Sequence, residues 1–401
     1  MRIALIGTRG VPAQYGGFET AVEEIGRRLV RRGHEVVVYC RGRRTDRRTY
    51  LGMTLVHRPA LHRKTLETLS HTALSVEHLR RHPVDVAVLF NVGNAPFVRP
   101  IQALGIPVAV HVDGLEWRRG KWGRLGRWYY RWAEARAVRG ADRLIADSVA
   151  IGRYYFATYG ARPRYLPYGA DIGDPGSDRL HEVGVTPGAY HLVVARFEPE
   201  NNVHLLVEAF SRSISRHPLV VVGSARYGAA YRGRVEAVAA HDARIRLVGS
   251  VYDQGLLAQL YAHARSYLHG HSVGGTNPSL LRAMAAGRPV IALDVEFNRE
   301  VAGPAGRYFS SPAQLVPLIE EADGDWAHTA ARGQAAQERV ARRYRWDEVA
   351  DGYEQLCADL AHAHRGVGPP LALSDPAAVP LAAGVTRRPV RSPVAASPPE
   401  S

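Results

Sequence analysis

The chain has 401 residues, of which 46% are hydrophobic and 39 are glycines, a composition typical of a globular α/β protein with two domains. Lysines and arginines outnumber acidic residues by 52 to 38, and the formal net charge of +14 indicates either anionic partners or a solvated basic surface. Two cysteines, Cys40 and Cys357, exclude a disulfide framework, and no apolar run reaches the ~18 residues of a transmembrane helix. Because the opening residues have the pattern of a strand and not of a signal peptide, we expect a cytoplasmic protein.

The first half of the chain alternates strand patterns with helix patterns. An apolar strand over residues 2–7 precedes a glycine loop with Gly16 and Gly17 and a helix that ends near Arg32. Further strands are predicted at 36–39, 54–58, 85–90, 107–112, 143–146 and 165–166, and further helices at 66–81, 96–104 and 149–159. This alternation predicts a doubly wound domain with a parallel sheet, which binds ligands beyond the carboxyl ends of its strands.

Four polar side chains follow two of these strands: Asn91, Asn94, His111 and Asp113. A histidine and an acid two residues apart at a strand end can both reach a cleft, where the histidine can donate a hydrogen bond to a bound hydroxyl or transfer a proton. The alternative for His111 is a packed core histidine.

The stretch 117–143 contains nine lysines and arginines against two acids, and six tryptophans and tyrosines lie among them. Basic residues beside interfacial aromatics suit a lipid headgroup layer, where each cation contributes about 1 kcal/mol. We therefore expect this stretch to contact the anionic inner face of the cell membrane. The same residues would also stack nucleic-acid bases, but no nucleic-acid-binding motif accompanies them, so no nucleic-acid partner is expected.

A segment with prolines and glycines over 171–188 is predicted to link this domain to a second one, which covers 189–345. The strands predicted in the second domain are at 190–197, 219–223, 244–248, 267–268 and 289–294, and near 308. Arg196 stands at the carboxyl end of the first of them. A helix over 346–365 follows, and residues 366–401, with eight prolines, are predicted to be disordered.

The segment 269–287 is a glycine loop followed by a helix. Asn277 is a favourable N-cap and Pro278 suits the first helical position, so the helix is predicted to start there. Gly274 and Gly275 leave the backbone bare just before this N-terminus, where unpaired N–H groups and the helix dipole favour an anion such as phosphate. The alternative is an ordinary strand-to-helix turn without a ligand.

This segment, with Arg-Ala-Met-Ala before Gly-x-Pro-Val, resembles the donor site of family 4 glycosyltransferases. Its run His-Ser-Val-Gly-Gly-Thr-Asn-Pro-Ser-Leu-Leu is similar to a bacterial subgroup that includes rhamnosyltransferases of surface-polysaccharide assembly, and Asp-Gly-x-Glu-Trp-x-Arg-x-Lys-Trp from residue 113 looks like a signature of that subgroup. The implied fold is α/β of the GT-B type. In it, two doubly wound Rossmann-like domains, 1–170 on the acceptor side and 189–345 on the nucleotide-sugar side, face a cleft, and the C-terminal helix crosses back onto the first domain.

The resemblance also implies an activity. The enzyme would be a retaining hexosyltransferase that moves rhamnose or another hexose from a nucleotide diphosphate to a glycan or lipid-linked acceptor. No Asp-x-Asp motif is present to hold a metal, so a metal-independent reaction without a cofactor is implied, with the nucleotide sugar as donor substrate. An enzyme with this role in polysaccharide biosynthesis would lie in the cytoplasm, peripherally on the inner membrane face.

The resemblance finally assigns residues to roles. His111, Asp113 and Arg196 are the catalytic candidates, and the guanidinium of Arg196 would neutralise the donor diphosphate. The candidates for donor binding are Gly16, Gly17, Arg196, Asn201, His271, Gly274, Gly275, Thr276, Asn277, Pro278, Ser279 and Arg282. The candidates on the acceptor side are Asn91, Asn94, Glu116 and Trp117.

The chain departs from the family pattern at three of these positions. Gly274 and Arg282 stand where the family has two glutamates, and Asn201 stands where it has a lysine. Arg282 donates hydrogen bonds but accepts none, so it cannot hold a ribose diol as a carboxylate does. A deoxyribose lacks one of those hydroxyls, so the hypothesis is a dTDP-linked donor, dTDP-rhamnose first, with GDP- and UDP-sugars next.

Other functions compete with this interpretation. A catalytically silent relative that binds a sugar nucleotide would explain the altered residues. An NAD-dependent oxidoreductase would use the first domain, although Gly-x-Gly-x-x-Gly is missing from its first loop. A sugar-nucleotide epimerase would share the two-domain plan but not the Ala-Met-Ala segment.

Overall fold

The computed structural model describes residues 1–13, 16–42, 47–61, 66–112, 114–224 and 229–366. Within these residues the chain forms two sheets with helices packed against them. The strands of the first sheet are β1 (Arg2–Ile6), β2 (Glu35–Arg41), β3 (Thr49–Tyr50), β4 (Met53–Arg58), β5 (Val86–Phe90), β6 (Val108–Val112), β7 (Arg143–Ala146) and β8 (Arg164–Tyr165). The helices of this half are α1 (Gly17–Arg31), α2 (Glu67–Arg81), α3 (Val98–Gln102), α4 (Arg124–Gly140) and α5 (Val149–Tyr159).

The second sheet is built from the second half of the chain. Its strands are β9 (His191–Val194), β10 (Leu219–Val222), β11 (Ile245–Gly249), β12 (Ser266–His269), β13 (Val290–Leu293) and β14 (Arg307–Phe309). The helices are α6 (Val203–Ser211), α7 (Ala229–Ala239), α8 (Gln254–Ala262), α9 (Pro278–Ala285), α10 (Glu296–Ala302), α11 (Pro312–Gly324), α12 (Trp326–Arg343) and α13 (Trp346–His364).

The strand orders confirm the predicted doubly wound topology. The first sheet runs β3-β4-β2-β1-β5-β6-β7-β8 and the second runs β11-β10-β9-β12-β13-β14. Every strand pair is parallel except β3–β4. Strand order reverses between β1 and β5 and between β9 and β12, so the loops after these four strands diverge and leave a crevice at the carboxyl edge of each sheet.

The antiparallel strand β3 was not predicted. It contains only Thr49 and Tyr50 and joins β4 through Leu51 and Gly52, whose φ angles are 48° and 80°. Two consecutive residues with positive φ suit a tight hairpin turn of the primed type. A strand of two residues is too short to show a hydrophobic period, which is why the sequence pattern missed it.

The C-terminal helix α13 crosses back onto the first domain, as the resemblance implied. It packs against α1, where Arg28 Nε lies 2.8 Å from Asp347 Oδ1. Arg32 and His34 both contact the carboxylate of Glu354, at 2.9 and 2.7 Å. These contacts join α13, the last helix among the described residues, to α1 and to the turn that follows it.

The structure describes the predicted linker but not the predicted tail. Part of the segment 171–188 lies against α8, where the Gln259 side chain donates to the carbonyl of Pro175 at 3.0 Å. The predicted disordered tail falls, beyond Gly366, outside the described residues. No helix within the described ranges is long and apolar enough to span a membrane.

Candidate active site

Helix α9 begins where the sequence predicted, directly after the glycine loop that follows β12. The Asn277 side chain accepts a hydrogen bond from the Ser279 backbone N–H at 3.0 Å, and Pro278 occupies the first helical position. The Ser279 hydroxyl in turn accepts from the Tyr267 hydroxyl at 2.9 Å. The predicted N-cap is therefore confirmed, and the positive end of the α9 dipole faces the carboxyl edge of the sheet.

Glycines from both domains meet at this helix N-terminus. A Cβ built on Gly114, just after β6, would lie 2.6 Å from the backbone of Gly274. A Cβ on Gly17, at the start of α1, would lie 3.1 Å from the Tyr168 ring and 3.3 Å from Pro278. Side chains at these two positions would separate the loops, so the contact between the domains depends on glycine.

Asp147 completes this contact from the end of β7. The Thr276 hydroxyl donates to the Asp147 carbonyl, and a Cβ on Gly275 would collide with the Asp147 carboxylate at 2.0 Å. Thr276 is buried there. Gly275 and Thr276, two of the donor-binding candidates, thus pack directly on the first domain in this structure.

Arg196 follows β9, beside the glycine loop. Its guanidinium is 34% exposed and lies 3.2 Å from Glu198 Oε1. The loop that carries it is tied to the glycine loop, because the backbone N–H and the hydroxyl of Ser272 both donate to the Glu200 carbonyl, at 2.8 and 2.9 Å. Arg196 therefore lies at the edge of the crevice and remains within reach of solvent.

Asn201 does not replace the positive charge of the lysine that the family pattern has at its position. Its side chain is 1% exposed, and its Nδ2 donates to the Arg196 carbonyl at 2.9 Å. The amide thus fixes the backbone of Arg196 and does not itself face the crevice.

A second arginine, Arg119, reaches the same place from the first domain. Its Nε lies 2.5 Å from the buried carboxylate of Glu116, and its Nη1 lies 3.6 Å from Glu200 and 3.9 Å from Glu198. Lys121 also contacts Glu116, at 2.7 Å. Burial alone would raise the pKa of Glu116, but the two cations outweigh burial and lower it. Arg119 therefore contributes positive charge across the domain boundary, next to the Arg196 loop.

Sequence reasoning missed this role of Arg119. Arg119 lies in the basic stretch 117–143, which was predicted to contact a membrane surface. The available signal was the alternation of Glu116, Arg119 and Lys121 directly after a strand end, which is typical of an ion-pair cluster at a site.

The candidate His111, and His269 at the end of β12, are buried and neutral. Burial lowers the pKa of His111 to about 3 and that of His269 to about 3. Neither ring nitrogen of His111 has a hydrogen-bond partner among the described residues, and the ring packs on Phe90 at 5.4 Å and edge-on to Phe18 at 5.2 Å. A neutral imidazole here would donate one hydrogen bond but would not act as a cationic acid near pH 7.

His271 reports how the two arginines are placed. Its ring stacks on that of His269 at 4.4 Å, and burial, His269, Arg196 and Arg119 together hold its pKa well below the usual range. Because both guanidiniums lower the pKa of the same imidazole, both lie near His271.

Several other candidates support local structure. The Asn91 side chain accepts from the Gly93 N–H at 2.8 Å, and buried Asn94 donates to the Phe90 carbonyl at 2.9 Å. Trp117 lies beneath the guanidinium of Arg131 at 4.3 Å. These contacts hold the turns after β5 and β6 and leave Glu116 as the acceptor-side candidate that joins the ion-pair cluster.

Of the two remaining candidates, the structure describes only Arg282, which lies apart from the ion-pair cluster. Arg282 turns towards α8, where Nη1 donates to Gln254 at 3.0 Å and the guanidinium covers the Tyr261 ring at 5.3 Å. Asp113 lies outside the described residues. In the part of the chain that the structure describes, no group of three or more His, Cys, Asp or Glu side chains is placed to hold a metal ion.

Comparisons with known proteins identify the fold. Residues 189–322 match the family described as glycosyl transferases group 1, and residues 1–171 match a domain of unknown function, DUF1972. The solved structure of sucrose-phosphate synthase from Thermosynechococcus elongatus has a TM-score of 0.77 at 20% identity and covers 90% of this chain and 99% of that one. The protein has the GT-B glycosyltransferase fold. HepE from Anabaena, solved in complex with UDP, has a TM-score of 0.71 at 17% identity and covers 90% of this GT-B chain and 100% of its own.

A curated relative is similar over a shorter region. O-antigen chain mannosyltransferase B from Escherichia coli is 29% identical over 176 residues, which are 39% of this chain and 42% of that protein. The match thus spans less than half of the relative. These similarities confirm the predicted fold class and favour sugar transfer over the oxidoreductase alternative.

Proposed function

We infer that this protein transfers a sugar from a nucleotide diphosphate donor to a glycan or lipid-linked acceptor, with retained configuration and without a metal ion. One observation carries the proposal: the N-terminus of α9 and the guanidiniums of Arg196 and Arg119 gather at the carboxyl edges of the two facing sheets. A helix N-terminus and two guanidiniums at one crevice suit a diphosphate leaving group, which would take the place of their carboxylate partners Glu198 and Glu200.

The two arginines divide the charge of the diphosphate. Arg196 exchanges its contact with Glu198 for a phosphate oxygen, and Asn201 holds its backbone in place during the exchange. Arg119 supplies the cation that the family pattern has as a lysine at position 201. The N–H groups at Gly274 to Asn277 complete the site once the loops part to admit the donor. The contact between Gly114 and Gly274 then forms again, and this closure excludes water.

The neutral ring of His111 donates to a hydroxyl of the transferred sugar. It lies at the end of β6, between Phe90 and Phe18, so its orientation is fixed by packing. The donor of this hydrogen bond is the one ring nitrogen that carries a hydrogen in the neutral imidazole, so the ring need not be ionised near pH 7.

The donor is proposed to be dTDP-rhamnose. Arg282 is engaged with α8 and offers no acceptor to a ribose diol, which agrees with a deoxyribose in the nucleotide. A GDP-sugar is the second choice, because the curated relative is named as a mannosyltransferase. A turnover screen with dTDP-rhamnose, GDP-mannose and UDP-glucose, read out by mass spectrometry of the product, decides between them. A clear preference for UDP-glucose would contradict the proposed donor, and no turnover with any nucleotide sugar would contradict the proposed activity.

The acceptor is proposed to be lipid-linked and the enzyme to sit peripherally on the inner membrane face. Within 117–143, Trp128 is 61% exposed and Trp132 is 37% exposed, whereas Trp122 packs on Tyr130 with ring centroids 5.0 Å apart. The membrane contact is therefore assigned to the outer face of α4. Flotation with anionic vesicles tests it, and unchanged binding after joint replacement of Arg124, Arg127 and Arg131 by alanine would contradict it.

A further inference from the structure

One face of α4 is apolar in its first part and basic in its last part. Its first part carries Leu125, Trp128 and Trp132, of which Leu125 is 78% exposed. The same face continues, at spacings of four and three residues, to Arg136 and Arg139. We call these five residues the α4 stripe. From Leu125 to Arg139 the stripe extends about 21 Å at the helical rise.

The basic end of the stripe borders a cavity. A cavity of about 340 Å³ lies between α4 and the segment that enters α3, and Arg99, Trp132, Arg136 and Arg139 line it together with apolar Ala95 and Val98. Among the described residues, no acidic side chain lines the cavity, and none of its three guanidiniums pairs with a carboxylate. Three permanent cations thus surround one small volume without a counter-ion from the protein.

We propose that this cavity binds the phosphate headgroup of an anionic membrane phospholipid. Its volume lies in the usual range for small-molecule sites, and guanidinium groups bind phosphate through paired hydrogen bonds. Trp132 belongs to both features, because its ring lines the cavity and continues the apolar part of the stripe. A lipid with its phosphate at Arg99, Arg136 and Arg139 therefore has its acyl chains beside Trp132 and Trp128.

This placement also orients the enzyme. Helix α4 starts at Arg124, shortly after Arg119 of the ion-pair cluster, and packs against the segment Glu116–Arg118. A membrane that holds the α4 stripe therefore passes close to the crevice at the start of the helix. The proposal makes the general membrane contact proposed above specific to one lipid site, and its test does not require sugar transfer.

The test compares the full-length protein with a cavity variant in vesicle sedimentation. The vesicles are phosphatidylcholine alone or phosphatidylcholine mixed with phosphatidylglycerol. In the cavity variant, Arg99→Gln, Arg136→Gln and Arg139→Gln are combined. The matched control combines Arg80→Gln, Arg81→Gln and Arg342→Gln, which remove the same charge from exposed positions on other helices. Thermal unfolding tests whether each variant is folded. If the triple variant does not fold, the single variant Arg136→Gln takes its place in the comparison.

Each basic residue near an anionic surface contributes about fivefold to partitioning, so we expect the cavity variant to lose about 100-fold on the mixed vesicles. Binding of the cavity variant to phosphatidylcholine vesicles should be unchanged. On the mixed vesicles, the control variant should lose less than a third as much affinity as the cavity variant. Trp128→Ser should weaken binding to both kinds of vesicle. Equal losses in the cavity variant and the control would overturn the site, because they would show only a net-charge effect.

A soluble arm separates a lipid headgroup from free phosphate. Glycerol phosphate and inorganic phosphate are titrated into the protein without vesicles, at constant ionic strength. The proposal expects glycerol phosphate at matched concentration to displace little protein from the mixed vesicles, since it lacks the acyl chains. If either soluble phosphate binds as tightly as the vesicles do, and Trp128→Ser does not affect that binding, the cavity is a site for a free anion and the proposal fails.

Discussion

Replacing Gly114 by alanine is expected to separate the two domains at the crevice without unfolding either one. The new Cβ would lie 2.6 Å from Cα and the carbonyl carbon of Gly274, whereas ordinary contact begins at 3.4 Å. The neighbouring atoms are backbone, so they cannot swing aside as a flexible side chain would. Such overpacking costs about 1–3 kcal/mol.

The cost falls only on the arrangement in which the two loops touch. A penalty of this size reduces the population of the closed arrangement about 5- to 150-fold. If closure is required for transfer, kcat/KM for the donor should fall by a similar factor. The melting temperature should fall by only a few degrees, because Gly114 and Gly274 lie outside the hydrophobic core clusters of both domains.

Gly123→Ala is the matched control, because it lies in the loop that precedes α4 and a Cβ there meets no atom within 4 Å. Steady-state kinetics with the best donor from the turnover screen and thermal unfolding are measured on both variants. An unchanged kcat/KM in Gly114→Ala would refute the role assigned to loop contact. So would a loss that is matched by a large drop in melting temperature, since the fold itself would then have been damaged.

Three further predictions concern single side chains. Arg119→Ala should weaken the binding of a nucleoside diphosphate about 10- to 100-fold, the usual value of a charge-assisted hydrogen bond, while Arg118→Ala, exposed in the same loop, leaves it unchanged in calorimetric titration. Glu134 has a pKa raised to about 7 by burial, although the hydroxyls of Tyr154 and Tyr159 donate to it. Because this pKa lies above the ordinary value of 4.5, the folded state holds the extra proton, and the associated stability is complete below pH 4.5 and is lost as the pH rises through 7. This loss of folding stability is on the order of 3 kcal/mol. The melting temperature of Glu134→Gln should therefore fall less than that of the wild type between about pH 5 and pH 8. An equal fall in both proteins would contradict the effect of burial on Glu134. His111→Phe should lower kcat at least about tenfold. It should leave the shape of the pH–rate profile unchanged above about pH 5, because the pKa of about 3 keeps the His111 ring neutral there. If an ionisation disappeared from the profile in that range, the ring would titrate during catalysis and the prediction would be wrong.

Local signals in the sequence were sufficient for most of the fold. Asn277 and Pro278 predicted the start of α9 because a capping side chain and a missing N–H act within one helical turn. The apolar runs of β5 and β6 predicted two strands, and both faces of these strands are buried in the structure. The position of α13 on α1 needed the family resemblance, since its ion pairs join residues more than 300 positions apart.

The site was harder to predict because its charges come from both domains. Arg119 reaches Glu200 only when the two sheets face each other, and no period in the sequence encodes that contact. The environment of Asn201 also depends on tertiary packing, which turns its amide towards the Arg196 carbonyl. Arg282 was expected at the donor because of its position in the motif, but its long side chain finds Gln254 and the Tyr261 ring instead.

The central claim is that Arg196 and the α9 N-terminus bind the diphosphate of a nucleotide sugar. Calorimetric titration of the wild type and of Arg196→Ala with dTDP, GDP and UDP, and with the corresponding nucleosides, tests it most directly. We predict that one of the diphosphates binds the wild type, that Arg196→Ala weakens this binding about 10- to 100-fold, and that the nucleoside binds both proteins equally. Equal affinity of wild type and Arg196→Ala for every diphosphate, or no binding of any nucleotide, would contradict the account.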